Sequence, residues 1–251
     1  MTQKRDAILC EIGLGPIWKL RSKATAVRPE SSGTALDGPV EAPTAVHPEP
    51  AKGQGDRASL IARMNWDELK QSVAACRSCG LCQARKQAVL GVGDVNADWL
   101  FVGEGPAAEE DERGEPFVGQ AGKLLDAMLA AIDIKRGKDV YIANAVKCRP
   151  PSNRTPEPEE TAACWPYLQR QIDLIKPKLI VALGRPAAQT LLGVEVKIGA
   201  SRGRLFAHQG IPLIVTYHPA YLLRNLPDKA KAWEDLVFAR KTMRELKLRT
   251  V

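Results

Sequence analysis

From Leu60 onward, short apolar runs alternate with longer stretches of helical period. Trp99 to Val102 (WLFV), Asp139 to Ala145 (DVYIANA), Leu179 to Leu183 (LIVAL) and Pro212 to Thr216 have strand length, the last framed by Leu205 and Phe206. Runs this short and apolar suit strands covered on both faces. Helices are predicted from Asn65, as cap, to Ala75, over Gly122 to Ile132, over Glu157 to Lys176 and from Gly184 to Leu192. A basic helix over about Lys229 to Leu246 closes the chain. Strand and helix alternate, which predicts an α/β protein. The expected architecture is a three-layer α/β/α sandwich around a short, mostly parallel four-stranded sheet. Ligands of such sheets sit beyond the carboxyl ends of the strands. Glu104, Asn144 and His218 occupy those ends.

The first sixty residues break the pattern. Residues 1–23 hold a short apolar stretch, Ala7 to Leu20 with Trp18, a candidate docking peptide for a protein partner. Residues 24–58 are rich in Pro, Gly, Ser, Ala and Thr and contain no aromatic residue. Such a stretch buries too little apolar surface to offset its ordering entropy and is expected to be a disordered linker. The folded domain is expected over 59–251. No run approaches the roughly 18 apolar residues of a membrane span, and the first residues lack the features of a signal peptide. The expected setting is the reducing cytoplasm.

Charge and cysteine content sharpen the picture. The 251-residue chain carries a net charge of +7, which favours a polyanionic partner. Eight Lys and Arg stand against four Asp and Glu after Tyr221. Five of the six cysteines fall in two clusters: Cys76, Cys79 and Cys82 in a C-x2-C-x2-C run, then Cys148 and Cys164. In a reducing compartment such spacing indicates metal ligation rather than disulfides. Four thiolates suit zinc or an iron–sulfur cluster.

Four segments then occur in order: GEGPAAEEDERGEPFVGQAGKLLD, NAVKCRPPSNRTPEPEE with Cys164 beyond it, LGRPAA, and YHPAYLLR. Together with the cysteine pattern they closely resemble the family 4 uracil-DNA glycosylases, the iron–sulfur branch of that superfamily. The resemblance runs from about Leu60 to the end of the chain. It implies a 4Fe-4S cluster on Cys76, Cys79, Cys148 and Cys164, with Cys82 as an extra thiol beside it. It also implies a monomer acting on uracil in single- and double-stranded DNA, hydrolysing the N-glycosidic bond and leaving an abasic site.

A base inside a duplex must be everted into a pocket before such chemistry. The resemblance assigns Asn144 to the uracil edge, Phe117 to stacking, and Gly103 and Gly105 to close approach of the substrate. His218 is expected to donate to the departing uracil. Glu104 and Glu110 are the carboxylates available to position water or offset sugar charge, or to shape the loop. Leu222 and Leu223 are candidates for an apolar wedge in the base stack. Arg224 and Arg154 are candidates for phosphate contact. Two other readings share these residues. One is a binder or covalent trap of uracil-containing DNA, although the stretch RNLPDKAK after Leu223 lacks the extra histidine of the covalent branch. The other is a zinc- or cluster-bearing scaffold in a repair or replication assembly.

Overall fold

The computed structural model describes residues 54–249. The apolar segment 1–23 and the linker up to residue 53 lie outside the described residues. The predicted linker ends earlier than expected, because helix α1 occupies Gln54–Ile61. Two contacts explain why so polar a stretch is ordered. Ile61 is buried. Arg57 donates to the Ala163 carbonyl at 2.9 Å and lies 4.8 Å from the centroid of the Tyr167 ring.

Helix α2, Trp66–Ala75, begins as the sequence predicts. Asn65 Oδ1 accepts from Glu68 N at 3.0 Å, and Glu68 Oε2 accepts from Asn65 N at 2.8 Å. This reciprocal cap satisfies two otherwise orphaned donors. The sheet follows, with strands β1 Val92–Gly93, β2 Trp99–Gly103, β3 Val140–Asn144, β4 Leu179–Leu183, β5 Leu205–His208 and β6 Ile211–Thr216. Their spatial order is β1-β3-β2-β4-β6-β5. The inner four, β3, β2, β4 and β6, are parallel, while β1 and β5 pair antiparallel at the two edges. The mostly parallel sheet is as expected, but it has six strands rather than four. The framing residues Leu205 and Phe206 belong to a separate strand that closes a hairpin with β6.

Helices α3 Ala108–Arg113, α4 Gln120–Ala131, α5 Pro158–Ile175, α6 Arg185–Leu192, α7 Ile198–Ser201, α8 Pro219–Arg224 and α9 Asp228–Arg249 complete the fold. Alternating strand residues point to opposite faces. Phe101, Ile142, Val181 and Ile214 pack with Leu125 and Leu129 of α4, Leu222 of α8 and Leu236 of α9. Leu100, Tyr141, Ile180 and Val215 pack with Leu168 and Ile172 of α5 and Leu191 of α6. Both faces are therefore covered, which gives the three layers. A third apolar cluster joins Ile61, Leu69 and Val73 to Cys148, Cys164 and Tyr167. No described helix is long and apolar enough to cross a membrane.

Chain order explains the site's place. From β2 the chain passes through α4 to β3 on one side, then through α5 to β4 on the other side of β2. The crossovers diverge around β2, opening a crevice at the carboxyl ends of these strands. Leu100 sits at the centre of this arrangement, fully buried on β2. Leu100→Ala is expected to cost about 2–5 kcal/mol of stability. Denaturant unfolding should show a lower midpoint with an unchanged slope; an unmoved midpoint would refute the packing described.

Candidate active site

Gly103 ends β2 and pairs in register with Asn144, which ends β3. A side chain at Gly103 would have no room. Its Cβ would stand 2.4 Å from Asn144 Oδ1 and 2.6 Å from Phe117 Cζ. The missing Cβ thus lets an amide and an aromatic ring meet above the same backbone atom. Phe117 in turn lies 5.5 Å from His218, centroid to centroid, with the rings tilted by 31°. Asn144, Phe117 and His218 are separated in sequence but share one corner of the crevice.

Asn144 is buried, and its Oδ1 has no hydrogen-bond partner among the described residues. A buried acceptor left unmade costs about 1–3 kcal/mol. Such an orphan next to an aromatic face has the form of a site awaiting a donor.

Phe117 adopts a left-handed backbone, with φ of 54°. For a bulky residue this is strained and must be held by its surroundings. Arg136 donates to the Pro116 and Phe117 carbonyls, each at 2.9 Å. Glu110 Oε1 accepts from Val118 N at 3.2 Å and Gly119 N at 3.4 Å, while its Oε2 accepts from Ala107 N at 3.1 Å. Both oxygens of Glu110 are thereby committed to backbone donors. That geometry makes Glu110 a clamp on the Phe117 loop, the loop-shaping alternative considered for it, rather than a carboxylate open to water.

His218 follows β6 and caps α8. Its Nδ1 accepts from Ala220 N at 3.1 Å. A nitrogen that accepts carries no proton, so the neutral ring holds its proton on Nε2. The ring is half-buried and packs against Phe117. Burial, aided by the Arg224 charge, lowers its pKa from 6.5 to about 4. The imidazole is neutral at pH 7 and offers one N–H. Gly184, at φ 88°, makes room beneath it, since a Cβ there would lie 2.9 Å from the histidine Cβ.

Glu104 is half-buried directly after β2. Burial raises its pKa, opposed by a hydrogen bond from Thr155 and the charge of Arg185. Gly105 faces the cysteine-bearing segment instead, where a Cβ would be 2.8 Å from Val146 Cγ2. Two expectations require correction. Leu222 is 1% exposed and packs in the core, so it cannot serve as a wedge, whereas its neighbour Leu223 is 41% exposed. Arg154 is committed to Glu160 through a two-pronged pair at 2.8 and 2.7 Å, so its fork is not free for phosphate. Asp111 is buried and accepts from Lys86 N at 3.0 Å. Arg224 is exposed, as a phosphate contact requires.

Beyond β3, five cysteines line one cavity: Cys76, Cys79, Cys82, Cys148 and Cys164. None of the five is in a disulfide. Cations surround them. Arg85 Nη1 donates to Cys148 Sγ at 2.8 Å, Arg57 Nη2 reaches Cys76 Sγ at 3.7 Å, and Lys147 is buried against the cavity. Burial pushes the Cys164 thiol up to about 12. Among the described residues no three His, Cys, Asp or Glu side chains form a group suited to a single metal ion. Cys10 lies outside the described residues.

Residues 90–237 match the family model described as the uracil DNA glycosylase superfamily. The chain belongs to that superfamily. Within it, the chain resembles type-4 enzymes. The type-4 uracil-DNA glycosylase of Pyrobaculum aerophilum is 42% identical over 181 residues, covering 69% of this chain and 92% of the relative. Those of Archaeoglobus fulgidus and Thermotoga maritima are 45% and 47% identical, each covering 62% of this chain and 82% of the relative. The corner of Asn144, Phe117 and His218 lies inside the stretch that the superfamily model matches.

Arg136 and Lys147 were not legible as site residues. Arg136 stands in the charged turn IKRGKD, where nothing marks its reach to Phe117. Lys147 reads as one more cation before a cysteine. The His218 assignment has a direct check. Its folded pKa lies below that of the unfolded chain, so between about pH 6.5 and 4 the unfolded state takes up a proton that the folded state refuses. Stability contributed by the neutral ring is present above 6.5 and is lost as pH falls through this window. Nitrogen-detected NMR should show Nε2–H at pH 7 and a midpoint near 4; a midpoint near 6.5 would overturn the assignment.

Proposed function

We propose that this chain is a DNA-repair glycosylase that hydrolyses the N-glycosidic bond of deoxyuridine in DNA, releasing uracil and leaving an abasic site. The observation that carries the reading is the orphaned Asn144 oxygen beside Phe117, within the same corner as a neutral imidazole with its proton on Nε2.

Uracil presents an N3–H donor and an O4 acceptor. Asn144 Oδ1 accepts the first, and its amide N–H serves the second. Cytosine reverses both and leaves the buried amide unsatisfied, a mismatch that discriminates far more strongly than a change in apolar contact. Phe117 stacks on the everted base. His218 Nε2–H donates to uracil O2 as the glycosidic bond breaks and negative charge builds on the leaving base. A neutral donor does this without giving up its proton. Glu104, anchored by Thr155 and Arg185, offsets cationic character on the sugar and orients water. Glu110 acts through the Phe117 loop. Leu223 and Arg224 face DNA from the exposed side of α8.

Cys76, Cys79, Cys148 and Cys164 are proposed to hold a 4Fe-4S cluster, with Cys82 beside it. Thiols that share one cavity would suit either an iron–sulfur cluster or a tetrahedral zinc, and the likeness to type-4 enzymes favours the cluster. Arg57, Arg85 and Lys147 offset the negative charge of such a centre. Bound, the cluster cross-links the Cys76–Cys82 turn to the segments carrying Cys148 and Cys164. Single- and double-stranded uracil DNA, a monomeric state, residence at the nucleoid, and a protein partner for residues 1–23 complete the proposal.

Excision is measured on a uracil oligonucleotide followed by alkali, which breaks the strand at abasic sites. His218→Ala is expected to lower turnover about 10²–10³-fold with DNA affinity little changed. Asn144→Ala should lower it about 10- to 100-fold, as loss of one or two buried hydrogen bonds implies. Wild-type turnover in both variants would end the proposal, and a denaturant-resistant DNA adduct without free uracil would favour the covalent-trap reading. For the cluster, Cys164→Ser should lose iron and visible absorbance, and retention of both would remove Cys164 from the ligand set.

A further inference from the structure

Lys147 is buried at 1% exposure, yet the chemistry above uses it only as a counter-charge. Its connections run in two directions. The side-chain Nζ donates to the backbone carbonyl of Asn144 at 2.7 Å and to Gln171 Oε1 at 2.5 Å. Its own backbone N–H donates to Cys164 Sγ at 3.2 Å. The next residue is Cys148.

Gln171 is itself fixed, donating to the Leu90 carbonyl at 3.0 Å and to Tyr141 Oη at 3.2 Å. Tyr141 lies on β3, three residues before Asn144. The same side chain of Lys147 therefore ties α5, β3 and the cysteine segment at one point.

The Asn144 carbonyl is the hinge between strand and cysteine segment. On the far side of that peptide, Ala145 N donates to Gly103 O at 2.9 Å and Val146 N to Glu104 O at 3.1 Å. Lys147 holds the carbonyl end of the same planar peptide whose N–H end is held by Gly103. Rotation of this peptide would swing the Asn144 side chain, whose Oδ1 has no other tether among the described residues. An apolar side chain of similar length would fill the same space more cheaply than a buried amine. Its hydrogen bonds, not its volume, distinguish lysine here.

We propose that Lys147 is a positioning residue for uracil recognition, transmitting the order of the cysteine centre to Asn144 through the Asn144 carbonyl. The proposal rests on the reading of Asn144 as the uracil-binding amide. It makes the cysteine centre more than a remote staple, because Lys147 meets a thiol through its backbone and the reading residue through its side chain.

The experiment is a double-mutant cycle on the full-length, cluster-loaded protein. Wild type, Lys147→Met, Asn144→Ala and the double variant are compared in single-turnover excision, with iron content and visible absorbance measured for each. Lys147→Met is expected to slow excision about 10- to 100-fold, the scale of a small misplacement. It should have almost no further effect once Asn144 is Ala. Amide hydrogen exchange across 144–146 should rise in Lys147→Met while the cluster absorbance stays unchanged.

Equal slowing in both backgrounds, or a wild-type rate in Lys147→Met, overturns the proposal. A wild-type rate in Asn144→Ala strikes the reading of Asn144 instead, and unchanged exchange in Lys147→Met would then overturn the positioning role by itself. If Lys147→Met accumulates without cluster, Gln171→Leu removes the other anchor of the same amine and must show the same dependence on Asn144, or the proposal falls.

Discussion

In-register pairing of two parallel strands, β2 with β3, sets the geometry of everything at the crevice. It places Gly103 beside Asn144 and leaves no space for a side chain between them. The ring of Phe117 enters from the loop after α3, and the imidazole arrives from beyond β6. Neither could reach the amide if the strand ends were out of step by one residue, because a single-residue slip sends every side chain to the opposite face. Four parallel strands with both faces buried make such a slip expensive.

A second principle governs the cysteine region, where buried charge is added to an apolar cluster. The Cys164 thiol is pushed up to about 12 by burial. Burying several thiolates together requires nearby positive charge. Arg85 reaches the site from the turn after Cys82, Arg57 from α1, and Lys147 from the segment leaving β3. This accounts for an ordered helix at Gln54–Ile61, in a stretch whose composition alone reads as linker. Arg57 is held by a carbonyl, a ring and a sulfur, contacts made only in the folded state.

The four central strands were legible because each is a compact apolar run bracketed by polar residues. Strand β1 was not, being two residues long, preceded by Gly91 and itself ending in Gly93. Helix α3 escaped notice because AEEDER has no apolar period; Glu110 folds back onto Ala107 N, while Asp111 accepts from Lys86 N of an earlier segment. The meeting of Asn144, Phe117 and His218 was anticipated only through the motifs around them, since isolated residues of these types carry little signal. Leu222 and Leu223 could not be separated in advance. Consecutive positions on a helix face about 100° apart, so one enters the core while the other meets solvent. Arg154 was misjudged because its partner Glu160 stands six residues away, across the start of α5, where linear spacing gives no hint of contact.

The hydrogen bond from Ala220 to the imidazole has one more implication. The tautomer of His218 is dictated by the opening turn of α8, not by any group that would touch DNA. Changes that reshape this turn, such as an insertion between Pro219 and Tyr221, would release Nδ1 and let the proton migrate to the wrong edge of the ring. The residues responsible for proton placement therefore include backbone atoms whose own side chains, a proline ring and a methyl group, have no acid–base chemistry at all.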